Sequence, residues 1–171
     1  MKELWLEIDV NIHEDQKTKL LKSAAQTCDA LLVDRKDIAT AKNSKVNIAS
    51  TVDEADIIVL SVFDSEKIKL LKSIGKIVAV RIIIKGKKDE EKAIEAAELN
   101  CDYVIVGTPD WKIIPLENLI AKTRKKTKLL AEVSSAKEAK VALETLELGS
   151  DGVVLKTKNV ESFKYTRRLS I

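Results

Sequence analysis

Acids and bases recur at or beside the ends of apolar runs in this sequence: Asp9, Asp34, Lys85, Glu132 and Lys156, with Ser61 and the pair Gly107–Thr108 in equivalent places. If those runs are parallel strands, these side chains gather at one rim, where two lysines and three carboxylates make a charge-balanced mouth for a small anionic substrate with carbonyl or amine chemistry. A lysine desolvated beside another cation loses basicity and becomes a competent general base or imine former, which makes Lys156 and Lys85 the catalytic candidates. Glu132 is the third. Asp9 and Asp34 are candidate substrate contacts, and His13, the only histidine, follows the first run as a proton shuttle or a partial helix cap.

No other chemistry is signalled. Glycine-rich dinucleotide and phosphate loops, the HExxH and GxSxG motifs and CxxC pairs are all absent. Gly86-Lys87-Lys88 reads as a turn opening a helix. Cys28 and Cys101 stand far apart, each just before an apolar run, and read as buried free thiols rather than a metal or redox pair.

Positioning these residues requires the strands. Asp29–Asp34, Asp56–Ser61, Asp102–Gly107 and Asp151–Lys156 each place an aspartate before a short, near-continuous apolar stretch. Such stretches mark strands buried on both faces of a parallel sheet. Leu4–Asp9, Lys45–Ala49, Ile77–Lys85 and Lys128–Val133 alternate with them. Helical periodicity covers 15–27, 35–42, 65–74, 88–100, 115–124, 136–148 and 159–168, with Ser135 and Glu138 forming a capping box and Gly75 and Gly149 at helix ends. Strand alternating with helix about eight times predicts an α/β fold, a TIM-like (β/α) barrel with short helices, as one domain over 1–171. A doubly wound parallel sheet is the alternative, since such barrels rarely fall below about 200 residues and 49–55 leaves room for barely one helical turn.

Strand parity sorts the faces. Leu4, Leu6 and Ile8 must meet the helices, which turns Trp5, Glu7 and Asp9 inward; Val78, Val80, Ile82 and Ile84 face out, which turns Arg81 and Lys85 in. A buried guanidinium needs a partner, so Glu7 or Asp9 is expected to pair with Arg81.

Thirty Lys and Arg against 27 Asp and Glu give a net charge of +3, well interspersed, so neither nucleic acid nor a membrane surface is the expected partner. The basic cluster Lys122, Arg124, Lys125, Lys126 and Lys128 falls where a helix ends and complements its dipole. Acids interrupt the first apolar stretch, and no run approaches transmembrane length, so the expected location is cytoplasmic.

The segment GTPDWKIIPLENLIA, 107–121, leaves a strand, turns at Pro109 and opens a helix at Pro115, holding Asp110, Trp111 and Lys112 rigidly over the mouth. It resembles the hallmark segment of the archaeal-type (type II) 3-dehydroquinate synthase family, and MKELWLEID at 1–9 and SDGVVLKT at 150–157 are similar to that family's beginning and last barrel strand. The resemblance spans essentially the whole chain. It implies NAD-dependent oxidative deamination of the small anionic amino sugar acid 2-amino-3,7-dideoxy-D-threo-hept-6-ulosonate, then cyclisation to 3-dehydroquinate in the shikimate route to aromatic amino acids. Glu132 or Lys85 would serve as base for imine hydrolysis and Lys156 as proton donor in ring closure, with Arg81, Thr108 and Lys112 on the substrate carboxylate. Members of that family are about twice as long, with a strand-rich second portion, so this chain is expected to be the N-terminal barrel and the NAD site to need that second portion. A Schiff-base aldolase, a non-catalytic barrel fragment and a homo-oligomer remain open alternatives.

Overall fold

Every apolar run becomes a strand. The computed structural model describes residues 2–25, 27–108, 116–144 and 150–169. Within them β1 (Glu3–Glu7), β2 (Ala30–Leu32), β3 (Asn47–Ser50), β4 (Ile57–Leu60), β5 (Val78–Ile83), β6 (Tyr103–Gly107), β7 (Lys128–Val133) and β8 (Gly152–Lys156) run parallel. They close in sequence order, with β8 returning to β1. Closure excludes the doubly wound sheet. Outside the strands lie α1 (Glu14–Ala24), α2 (Ile38–Ala41) between two 3-10 turns, α3 (Ser65–Ser73), α4 (Lys87–Glu98), α5 (Leu116–Thr123), α6 (Ala136–Glu144) and α7 (Val160–Arg168). The β3–β4 crossover carries turns and no helix, which is how the barrel fits a short chain.

Parity separates two cores. Leu4, Leu6, Ile8, Val78, Val80, Ile82 and Ile84 pack outward with helix residues such as Leu20, Ile68 and Phe163. Trp5, Ala30, Leu32, Ala49, Ile57, Val59, Ala79, Ile105, Leu130 and Val154 fill the lumen. Its lower end is plugged by Trp5 against Tyr103, edge to face with centroids 4.8 Å apart. Glu3 binds this plug, accepting from Trp5 Nε1 at 3.2 Å, the Tyr103 hydroxyl at 3.2 Å and Lys128 Nζ at 2.7 Å. Burial first, then Glu3, pushes the Tyr103 hydroxyl above its ordinary range.

The aspartates leading the even strands are clamps. Asp29 Oδ2 accepts from the Leu4 N–H at 2.8 Å, Asp56 from Ile48 at 2.8 Å, Asp102 from Val78 at 2.8 Å and Asp151 from Leu129 at 2.7 Å. Asp29, Asp102 and Asp151 also donate their own N–H to the carbonyl of the same partner residue. Each pair pins the start of an even strand to the preceding odd strand, fixing register where the ladder has no earlier rung.

Helix ends follow the sequence cues with one change. Ser135 Oγ accepts from the Glu138 N–H at 3.1 Å, but the Glu138 carboxylate reaches back one residue further than expected, to the Ser134 N–H at 3.1 Å. Gly75 has φ +81, the left-handed turn after α3, while Gly149 lies outside the described residues. No helix of the described residues is long and apolar enough to cross a membrane. Lys126 and Lys128 of the basic cluster pair with Glu98 and Glu3.

Two measurements test this framework. Asp151→Ala should lose about 1 kcal/mol in urea denaturation and Asp151→Asn less, because an amide oxygen still accepts, with exposed Asp53→Ala as a near-neutral control. Cys28 and Cys101 are free, and burial, aided by Asp29 and Asp102, pushes each thiol up to about 12. Thiols raised in this way stay protonated at pH 8, so iodoacetamide should label the native protein about a hundred-fold more slowly than free cysteine, with the rate climbing towards pH 12.

Candidate functional site

At the upper end of the lumen, apolar filling gives way to charge. Glu7 closes β1, Arg81 stands on β5 and Glu132 on β7, all on the inward parity. Arg81 Nη1 and Nη2 donate to both oxygens of Glu7, at 3.0 and 2.6 Å, and Nε donates to Glu132 Oε1. The expected internal ion pair therefore exists, with Glu7 rather than Asp9 as its member and Glu132 as a second carboxylate. Side-chain exposures of 24% for Arg81, 15% for Glu7 and 21% for Glu132 place the cluster between dry lumen and open mouth. Burial alone would lower the guanidinium's proton affinity; Glu7 and Glu132 outweigh it and hold Arg81 charged above its ordinary value.

Glycine makes room for this arrangement. A Cβ on Gly107 would collide with the Glu132 carboxylate and sit 3.1 Å from Ile83 Cδ1. Sequence inspection placed Gly107 at the mouth; its pairing with Glu132 emerges only from the β6–β7 register, where Val106 lies opposite Ala131.

The remaining candidates distribute unevenly. Lys156 ends β8 beside Glu7 in the β1–β8 register and is exposed. Asp9 approaches Lys158 at 4.0 Å and accepts from the Asn11 N–H at 2.8 Å. That backbone bond first, then Lys158 and Lys156, holds its carboxyl below the ordinary range. Lys85 lies two residues past the end of β5, exposed, so strand parity no longer aims its ammonium into the lumen. The burial that was to activate Lys85 and Lys156 is absent at both. Asp34 is exposed and caps the first 3-10 turn, accepting from the Lys36 N–H at 3.3 Å. Thr108 is half-buried just above β6. Lys112, with Asp110 and Trp111, lies outside the described residues. His13 is exposed at the N-cap position of α1 without a side-chain cap bond. Among the described residues, no group of three or more His, Cys, Asp or Glu is placed to hold a metal ion.

A guanidinium committed to two acids makes a simple stability prediction. Glu7→Ala should cost about 2 kcal/mol, below the range for fully buried pairs because the cluster is partly solvated, whereas Glu7→Leu combined with Arg81→Met and Glu132→Gln, which removes all three charges, should recover most of that loss in urea melts.

Comparison with known proteins fits this geometry. A family model described as the 3-dehydroquinate synthase II N-terminal domain matches residues 1–170. The chain is 37% identical over 173 residues to a 3-dehydroquinate synthase of Methanocaldococcus jannaschii, covering 99% of this chain and 48% of that relative. It is 32% identical to the one from Methanosarcina mazei, covering 96% and 49%. The chain thus spans about half the length of the curated relatives it matches. Among solved structures, the barrel is similar to orotidine 5'-monophosphate decarboxylase from Methanocaldococcus jannaschii (TM-score 0.72, 16% identity, 100% of both chains). It is also similar to an archaeal fructose 1,6-bisphosphate aldolase (TM-score 0.66, 14% identity, 99% of this chain and 92% of that one). At those identities the likeness speaks for the fold alone. With the closed barrel in place, the match over residues 1–170 settles the lineage: the chain belongs to the 3-dehydroquinate synthase II family, through that family's N-terminal domain.

Proposed function

We propose that this barrel is the substrate-handling part of a 3-dehydroquinate synthase that oxidatively deaminates 2-amino-3,7-dideoxy-D-threo-hept-6-ulosonate and cyclises it to 3-dehydroquinate. Family membership supports this reading, and the observation that carries it structurally is the Glu7–Arg81–Glu132 cluster at the C-terminal mouth, where barrel enzymes build their sites. Its glutamates complement the substrate's protonated amine, which stands on the carbon next to the substrate's carboxylate. Arg81, with Nε and both Nη atoms already donating to acids, acts on the two glutamates rather than on that carboxylate. Lys156 and Lys158, beside Asp9, are cations at this rim.

NAD would accept the hydride from the amine-bearing carbon. No turn after a strand among the described residues carries the G-x-G-x-x-G pattern that seats a dinucleotide pyrophosphate, so on this reading the cofactor belongs to the portion of the longer relatives that this chain does not span. The chain's own residues handle protons and water. Glu132, held by Arg81, takes a proton from the water that hydrolyses the substrate imine, releasing ammonia and leaving a ketone. A carbon next to the second ketone then loses a proton and attacks the new one, whose oxygen takes its proton from Lys156. A charged metabolite and a nicotinamide cofactor would suit a reaction in the cytoplasm.

The test is NADH absorbance and 3-dehydroquinate formation with this chain, alone and mixed with the second half of the Methanocaldococcus jannaschii relative. Glu132→Gln should lower kcat about a hundred-fold and Lys156→Ala at least ten-fold. Wild-type turnover in both variants would sink these roles. A borohydride-trapped lysine adduct without NADH would replace the synthase by an imine-forming aldolase.

A further inference from the structure

Beside the charged cluster, a cavity of about 570 Å3 opens at the C-terminal ends of β3 and β4 and the first turn of α3. Its floor is Val59, a lumen residue, and its walls carry the hydroxyls of Thr51, Ser61 and Ser65 and the ammonium of Lys67. None of the three hydroxyls forms a hydrogen bond within the described residues, and Lys67 forms no ion pair there. The Asp64 carboxylate, also at the cavity, is turned to the Lys67 N–H at 3.1 Å as the cap of α3. The strand β4 that borders the cavity pairs with β5, which carries Arg81. Val59 lies opposite Ala79 and Leu60 opposite Val80. Continuing that register one residue sets Ser61 beside Arg81, on a strand about 5 Å away.

We infer that this cavity is a binding subsite for a hydroxylated carboxylate, with the three hydroxyls on the ligand's carbinol groups and Lys67 on its carboxylate. Its volume falls in the range that encloses a small metabolite. Lys67 is the cation at this cavity, so it takes the ligand's acid while the hydroxyls take its carbinols. Val62, 75% exposed at the cavity wall, gives the carbon skeleton an apolar face. Lys67 and the hydroxyls that follow β3 and β4 and open α3 thus become specificity determinants for the substrate class proposed above, a role that rests on that reading.

Titration of this chain with quinate, a polyhydroxylated cyclohexane carboxylate, tests the subsite without turnover. Quinate should shift the backbone amide resonances of Thr51, Ser61 and Ser65. Calorimetry should show binding weakened about five-fold by Thr51→Val and by Ser61→Ala, and about ten-fold by Lys67→Met, in line with single neutral and charged hydrogen bonds. Cyclohexanecarboxylate, which lacks the hydroxyls, should bind wild type and Ser61→Ala alike. Absence of quinate binding, shifts confined to other strands' ends, or affinities unchanged in all three variants would overturn the subsite. Quinate bound at these amides, in a protein that forms no 3-dehydroquinate with its complementing half, would support the subsite and defeat the catalytic reading.

Discussion

One guanidinium inside a strand barrel dictates much of what surrounds it. Arg81 can occupy the lumen only if its charge is met, and the meeting groups must come from strands whose inward side chains converge at the same height. Glu7 on β1 and Glu132 on β7 do so. Their convergence in turn needs β6 to carry no side chain at Gly107. The upper barrel is therefore a set of mutually required residues from four strands, and substitution of one leaves the others with an unmet charge or a collision.

That requirement divides the molecule by height. Below the cluster, the lumen is apolar and closed by Trp5 and Tyr103, and the acids there, Glu3 and the leading aspartates, bind backbone, ring donors and lysine. Above it, Ile83 and Val62 are exposed, and the hydroxyls of Thr51, Ser61 and Ser65 have no hydrogen-bond partner among the described residues. Cohesion resides at the N-terminal end and unsatisfied chemistry at the C-terminal end, the separation that lets a barrel vary its reactions without losing its frame.

Much of this was legible in the sequence because strand parity is strictly two-fold. Inward Trp5, Glu7 and Arg81, outward Leu4, Leu6 and Val80, and the helix-poor passage between β3 and β4 all follow from counting. Counting fails where a strand stops. Lys85 shares the parity of Arg81 but lies past the last ladder bond of β5, so alternation no longer fixes its direction. Asp9 and Glu7 were equivalent candidates for Arg81; the difference is that Glu7 is the last residue of β1 while Asp9 already turns back to the Asn11 amide. Asp34 resembled a rim acid yet caps a 3-10 turn, since a carboxylate two residues before a free N–H satisfies it locally first. Ser61 is legible as a strand-end residue, but Thr51 and Ser65 carry no such mark, and only the β3–β4–α3 packing assembles the three into one cavity.

The repeated leading aspartate has a bearing on how the chain reaches its closed state. Its four side-chain bonds join residues 25, 8, 24 and 22 positions apart, short spans whose closure entropy is modest. They group the strands into consecutive pairs, β1 with β2 through β7 with β8, so that each quarter of the barrel can hold its own alignment while the circle is still open. The long-range seam between β1 and β8 then joins pieces already in step, and topology of this local kind favours rapid assembly.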